Sequence, residues 1–223
     1  MALILNIETS TTNCSVSLSN KGETLVLKED YNTNYSHAES LHVFIDYVIK
    51  EAKISLKDLN AIAISKGPGS YTGLRIGVSA AKGLCFSLDL PLISISTLDA
   101  LAHQVTINDG YIVPMLDARR LEVYSSVYDS KFNCIRAIEA QVLNDNSFSE
   151  LLENNKVYFI GNGVEKSKKI IHHSNAIFID NKLPSANEMA MLAYNKYKIS
   201  DFEEVAYFEP FYLKDFIVLK AKS

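Results

Sequence analysis

The stretch GPGSYTGLRIGVSAAKG, residues 67–83, follows directly on the apolar run Ala61-Ile62-Ala63-Ile64-Ser65. A glycine-rich turn between a strand and a helix is either a phosphate cradle or a place where two backbones come close. The spacing excludes the common cradles. A P-loop needs lysine and then serine or threonine after its last glycine, whereas Gly73 is followed by Leu74 and Arg75. A dinucleotide loop needs G-x-G-x-x-G; counted from Gly67 and Gly69, the sixth place is Thr72, and Gly73 comes one residue late. Pro68 also removes a backbone donor, so only the helix N-terminus itself remains to attract an anion weakly.

Inside the expected helix, Gly73 and Gly77 together cost roughly 2 kcal/mol relative to alanine, and something must offset that. At about 100° per residue, Gly73, Gly77, Ala80 and Leu84 fall on one stripe, and Leu74, Val78, Ala81 and Cys85 on the next. Arg75, Ser79 and Lys82 form a narrow polar strip. A helix that is small or apolar over most of its circumference is buried from more than one side. The small stripe admits another helix backbone, either helix one of the same lobe or a helix of another chain.

Upstream, residues 3–7, 14–18 and 24–28 read as three strands, the last two joined by the turn Ser19-Asn20-Lys21-Gly22. Ser36-His37-Ala38-Glu39 has the form of a capping box. After it, Leu41, Phe44, Ile45, Val48, Ile49 and Ala52 keep the rhythm of one buried helical face. A strand over 92–95 and a helix over 97–104 complete this half. The pattern then restarts: Ile112-Val113-Pro114-Met115-Leu116-Asp117 is again an apolar run ending in an acid, as residues 3–8 were. Strands over 121–128 and 134–142 and a helix over 147–152 follow. Asn108-Asp109-Gly110 marks the seam. A βββα unit used twice is a duplication, with lobes at residues 1–107 and 108–223. Strands over 157–160 and 176–180, a helix after Gly163 and a helix over 186–197 follow, and the tail Glu209-Pro210-Phe211-Tyr212-Leu213-Lys214 is apolar enough to dock back on the first lobe.

The 223 residues carry a formal net charge of −4 and four arginines, which argues against unaided binding to a nucleic-acid backbone. The densest basic run, Lys166-Ser167-Lys168-Lys169, reads as a solvated helix face. Cys14, Cys85 and Cys134 have neither zinc-ligand nor redox spacing and read as buried reduced thiols. The start, MALILNIETS, has no basic leader, and no apolar run approaches the ~20 residues of a membrane span. These features point to a soluble cytoplasmic protein.

Taken with ILNIETST near the start, STLDALAHQ, LDARRLEVY and the closing EPFYLK, the stretch GPGSYTGLRIG resembles the bacterial TsaB family, formerly YeaZ, over essentially the whole chain. The resemblance implies an α/β fold of the actin, Hsp70 and sugar-kinase type: two duplicated lobes, each a mixed sheet with flanking helices. It implies a non-catalytic scaffold for the paralogue TsaD, which transfers a threonylcarbamoyl group to an adenosine of tRNA. It further implies docking of a TsaE-like ATPase on the pair, tRNA reached only through the assembly, and a homodimer when the chain is alone. The first two helices are that family's association surface. The corresponding residues here are His37, Leu41 and Phe44 of helix one and Tyr71, Thr72, Gly73, Arg75, Ile76, Gly77 and Ala80 around helix two.

Metal-dependent TsaD proteins carry an H-[LM]-E-G-H pair after the first lobe's last strand; Thr97 and Leu101 stand at those places here. His103 alone cannot build a metal site, and His37 and His42 are five apart and do not share a helix face. Thr9, Ser10, Thr11 and Thr12 fall where fold relatives place a phosphate turn, D-x-G-T-T-N, but Ser10 replaces its glycine. Asp117 matches the second lobe's acid, while Ala118-Arg119-Arg120 offers no glycine turn. Gly161-Asn162-Gly163 resembles an adenosine-contacting turn or is a plain loop. The expectation is no dedicated cofactor, no metal, no catalytic residue, and at most weak or interfacial binding of ATP or ADP. The competing function, an independent ATP-dependent phosphotransferase of the same fold, needs two intact phosphate turns and a catalytic acid.

Overall fold

The computed structural model describes residues 2–31 and 37–214. The first unit runs β1 (Leu3–Glu8), β2 (Cys14–Asn20), β3 (Glu23–Asp30), α1 (His37–Glu51), β4 (Ala61–Gly67), α2 (Tyr71–Leu88), β5 (Leu92–Ser96) and α3 (Thr97–Ala102). The second runs β6 (Tyr111–Asp117), β7 (Glu122–Asp129), β8 (Cys134–Val142), α4 (Ser149–Leu152), β9 (Val157–Ile160), α5 (Val164–Ser167), β10 (Ala176–Ile179) and α6 (Ala186–Lys198). The sheets have the orders β3-β2-β1-β4-β5 and β8-β7-β6-β9-β10. In each, the first three strands pair antiparallel and the last two join in parallel. The repeat expected from the sequence is therefore present in the order of strands and α-helices, the first unit adding a short 3-10 helix, Leu56–Asp58, between α1 and β4. Ser36, the first residue of the expected capping box, lies outside the described residues.

Both sheets are covered on both faces, because their central strands alternate apolar residues to either side. Leu3, Leu5 and Ile7 of β1 point to α1 and α2, where Leu41, Phe44, Val48 and Val78 complete one core. Ile4, Ala63 and Ile93 point to the opposite face and meet Ala186, Met189 and Ala193 of α6. In the second unit, Val113 and Met115 face α4 and α5, whereas Ile112 and Leu116 face Leu98 and Leu101 of α3. The last helix of each unit thus packs on the sheet of the other. The serines of β2 seat α6: Ser17 Oγ donates to Ala186 O at 2.8 Å, and Ala186 N donates to Ser15 Oγ at 3.0 Å. Among the described residues no helix is long and apolar enough to cross a membrane.

Two sequence-based expectations change. Cys14 and Cys85 are buried, and burial pushes each thiol up to about 12, but Cys134 is exposed. Lys166, expected on a solvated face, is mostly covered and makes three contacts with the second unit, described below.

The glycines of α2 also have a different neighbour from the helix that their spacing suggests. A Cβ on Gly73 would lie 2.1 Å from Thr9 O, and one on Gly77 would lie 2.2 Å from Thr9 Oγ1. Thr9 Oγ1 in turn donates to Gly73 O at 2.8 Å. The first half of the small stripe, Gly73 and Gly77, is filled by the β1–β2 turn of its own lobe, and both glycines are buried, whereas Ala80 and Leu84 further along it are only partly covered. Gly83, one turn and a half further on, has no atom within 4 Å of its ideal Cβ. Gly77→Ala should therefore destabilise by about 1–3 kcal/mol through overpacking, whereas Gly83→Ala should gain up to about 1 kcal/mol from helix propensity. Denaturant unfolding of the two variants checks this; equal effects would remove the distinction between the two glycines.

Candidate functional site

A cleft of about 710 Å³ lies between the two sheets, at the ends of β1 and β6. One wall is the turn after β1 with the N-terminus of α2; the other is the β6–β7 turn with Asn162. Residues 211–214 of the C-terminal segment line it as well. The position is the one a two-lobed fold offers a ligand, so the state of each wall decides what it can do.

The first wall is clamped. Ser70 N donates to Ser10 O at 2.6 Å, and His37 Nε2 lies 2.6 Å from Thr11 O. A Cβ on Gly69 would come within 2.4 Å of Ser10 O. Thr9 turns away from the cleft onto α2, and of the four residues expected to form a remnant phosphate turn only Ser10 and Thr11 line it. The turn carbonyls are thus directed at α2 and α1.

At the base of this wall Glu8 is fully buried. Ser10 N and Ser65 Oγ both donate to its Oε1, at 2.5 and 2.9 Å. Burial raises its pKa above the ordinary 4.5, and the hydrogen bonds from Ser10 and Ser65 offset that only in part.

On the second wall Asp117, the acid matched from the sequence, is paired. Lys166 Nζ donates to Asp117 Oδ1 at 2.6 Å and to the carbonyls of Arg120 and Glu122 at 2.8 and 2.9 Å. Asp117 Oδ1 also accepts from Arg119 N at 2.6 Å, and both arginines of the turn have positive φ. Asn162 Oδ1 accepts from Asp117 N at 2.9 Å, and Gly161 packs its backbone on Met115 O. Gly161-Asn162-Gly163 therefore braces β6. Lys166 was not singled out as a site residue; the acid of Leu116-Asp117 and the lysine after Gly163 carry no spacing that links them in sequence.

The histidines are dispersed. His103 caps α3, with Nδ1 2.8 Å from Asp99 O and its ring stacked on Phe132 at 4.1 Å. Desolvation raises Asp99, and the nearby His103 acts against that rise. Thr97 and Leu101, at the places of a metal pair in the paralogue, are both buried. Among the described residues no three His, Cys, Asp or Glu side chains gather as metal ligands would.

A second feature is a shallow groove of about 620 Å³ between α1 and α2, lined by Ala38 and His42 on one side and by Ile76, Ser79, Ala80 and Gly83 on the other, with Arg75 at one end. Of the residues expected at a partner surface, Thr72, Arg75, Ile76 and Ala80 are open to it or to solvent, and Tyr71 is half-buried. His37, Leu41, Phe44, Gly73 and Gly77 are buried inside the lobe and support the helices from beneath. Ala38, His42, Ser79, Gly83 and Leu84 also line the groove and are not among those expected residues.

The family model described as tRNA N6-adenosine threonylcarbamoyltransferase, TsaD, matches residues 32–222. The tRNA threonylcarbamoyladenosine biosynthesis protein TsaB of Haemophilus influenzae is 31% identical over 97% of this chain and 95% of its own. Among solved structures, YeaZ from Pseudomonas aeruginosa superposes with a TM-score of 0.82 at 26% identity, covering 96% of this chain and 100% of that one. The ethanolamine utilization protein EutJ from Carboxydothermus hydrogenoformans, at 12% identity and a TM-score of 0.50 over 85% of this chain and 89% of its own, shares the fold alone. The duplicated two-lobe α/β architecture of the actin, Hsp70 and sugar-kinase type is the fold of this chain.

The raised pKa of Glu8 makes the stability of the fold depend on pH. Its neutral carboxyl stabilises the fold fully below the unfolded value near 4.5, and that contribution is lost as pH rises through the folded value. Glu8→Gln, which stays neutral, should gain in stability relative to the wild type as pH rises from 4.5 to neutrality and differ least below it. Chemical denaturation across that range reads the difference; a constant offset at every pH would contradict the burial argument.

Proposed function

The chain belongs to the TsaB (YeaZ) family, and we propose that it is the non-catalytic subunit that associates with and activates a TsaD-like paralogue in forming N6-threonylcarbamoyladenosine in tRNA. The observation that carries this reading is that both cleft acids are engaged internally: Glu8 by Ser10 and Ser65, Asp117 by Lys166. A general base or a phosphate-site acid needs a free face toward substrate. Glu8 is fully buried and offers no such face, and Asp117, though exposed in the cleft, has Oδ1 held by Lys166 Nζ and Arg119 N as part of the β6–β7 turn; the chemistry is assigned to the partner.

The docking face in this reading is the α1/α2 groove. Its apolar lining is Ala38 on α1 and Ile76, Ala80 and Leu84 on α2. An opening between two helices with a small residue, Gly83, on its floor suits a helix laid along it. The same face serves a second copy of the chain when the paralogue is absent. The −4 net charge leaves tRNA to the assembled complex, on which a TsaE-like ATPase docks, all within the cytoplasm.

The test is reconstitution with the synthase that makes the threonylcarbamoyl adenylate, the paralogue, the ATPase, ATP, threonine, bicarbonate and tRNA. Omitting this chain should abolish sustained modification, and this chain with the synthase alone should give none. Gly83→Trp, which fills the groove from an exposed position, should block association with the paralogue and lower modification at least about tenfold while the thermal midpoint stays within a few degrees. Modification by this chain without the paralogue, or full modification with the Trp variant, would sink the proposal.

A further inference from the structure

After α6 the chain runs back along the first lobe. Glu203 N donates to Leu92 O at 2.8 Å, and Phe208 enters the core beneath α1 and α2. From there the segment follows α2, where Lys82 Nζ donates to the carbonyls of Ala206 and Phe208 at 3.1 and 2.9 Å. Phe211 N donates to Lys66 O at 2.7 Å. The Phe211 carbonyl would lie only 2.7 Å from a Cβ on Gly67, which sits at φ +109°, so this seat requires glycine.

Tyr212 then packs on Tyr71, with ring centroids 4.9 Å apart. Arg75 Nε donates to the Tyr212 hydroxyl at 3.1 Å, and the Arg75 guanidinium lies 4.0 Å over the Tyr71 ring. Two residues later Lys214 Nζ donates to both carboxylate oxygens of Glu122, each at 2.6 Å, on β7 of the second sheet. Two members of the polar strip of α2, Arg75 and Lys82, are thus spent on holding the C-terminal segment. Four consecutive residues, 211–214, connect the two walls of the cleft that they line. Arg75 belongs to the α1/α2 groove as well.

We propose that residues 209–214 are a latch across the interlobe cleft, and that Arg75 couples the latch to whatever lies in the groove. The latch has two grips, Tyr212 with Tyr71 and Arg75 on the first lobe and Lys214 with Glu122 on the second. With both made, the lobes are held at one separation and the cleft is lined by the chain's own tail. A partner that contacts Arg75 differently in the latched and released states shifts the latch, and the latch shifts that partner's affinity by the same factor. The coupling rests on the groove being the docking face; the latch itself does not.

Amide hydrogen exchange on the full chain tests the latch. Tyr212→Ala cuts one grip and Lys214→Ala the other. If the segment acts as one unit, each variant speeds exchange at both ends, residues 67–75 and 116–122, by roughly two- to fivefold. Acceleration confined to the end that was cut, or none at all, overturns the latch. Tyr212→Phe, which removes only the hydroxyl held by Arg75, repeats the first arm if the alanine variant does not fold. The coupling is read from binding of the TsaD-like paralogue to Lys214→Ala, a change outside the groove. Its affinity should shift by about twofold or more, up to the ratio of its affinities for the latched and released states. An unchanged affinity in a variant whose exchange rises at both ends overturns the coupling. Failure of the wild-type chain to bind the paralogue overturns the docking reading and the coupling with it, and the exchange experiment alone then decides the latch.

Discussion

The contact on which most of this structure depends is the one between Thr9 and the backbone of α2. A strand that ends in a turn and a helix that begins nearby can approach to van der Waals distance only where the helix has no side chains in the way. Gly73 and Gly77 provide that gap, and Thr9 Oγ1 closes it with a hydrogen bond to Gly73 O. Placing α2 this close to β1 sets three other features. It directs the carbonyls of the turn toward protein partners, it tilts the open side of α2 toward α1 to leave the groove, and it presents Arg75 and Lys82 to the returning C-terminal segment. The cost of two glycines inside a helix is offset by what their absence of side chains permits.

The two units are tied together by exchange as well as by adjacency. α3 leaves the first unit to cover the second sheet, and α6 leaves the second unit to cover the first. Each crossing buries apolar residues that neither unit could bury alone, so the relative placement of the sheets follows from core packing. Between them the cleft persists as a geometric result of duplication, with acids at equivalent strand ends. Its walls differ in how those acids are treated: Glu8 is sealed beneath a serine-lined turn, and Asp117 is met at the surface by a lysine.

Much of the fold was legible because strand and helix periods were clear and the apolar run ending in an acid occurred twice. The strands over 134–142 and 157–160 were placed to the residue, since turn residues bracket them. What stayed hidden has a common physical cause: the deciding neighbours are distant in sequence. The spacing of Gly73 and Gly77 marks a place of close approach, but spacing on a helix cannot say whether the approaching backbone is a helix or a turn. Ser15 and Ser17 alternate with apolar residues as on a half-exposed strand, yet they are buried because the start of α6, distant in sequence, docks on them through Ala186. Lys166 looked like one cation in a solvated run until the fold placed three acceptors around its ammonium group. Half of the residues matched to a partner surface lie beneath it, because a resemblance of sequence preserves positions without saying which way they face.

The exchange of α6 bears on how the chain is made. Ile4, Ala63 and Ile93 present an apolar face that only the helix at Ala186–Lys198 covers. During synthesis the first sheet is available long before that helix leaves the ribosome. The nascent first half must therefore wait with one side of its sheet bare, a state prone to unwanted association. Ser17 and Asn6, polar groups at the centre of that face, keep it from being uniformly greasy while it waits. The buried serines that specify the final docking also keep the unfinished chain compatible with water.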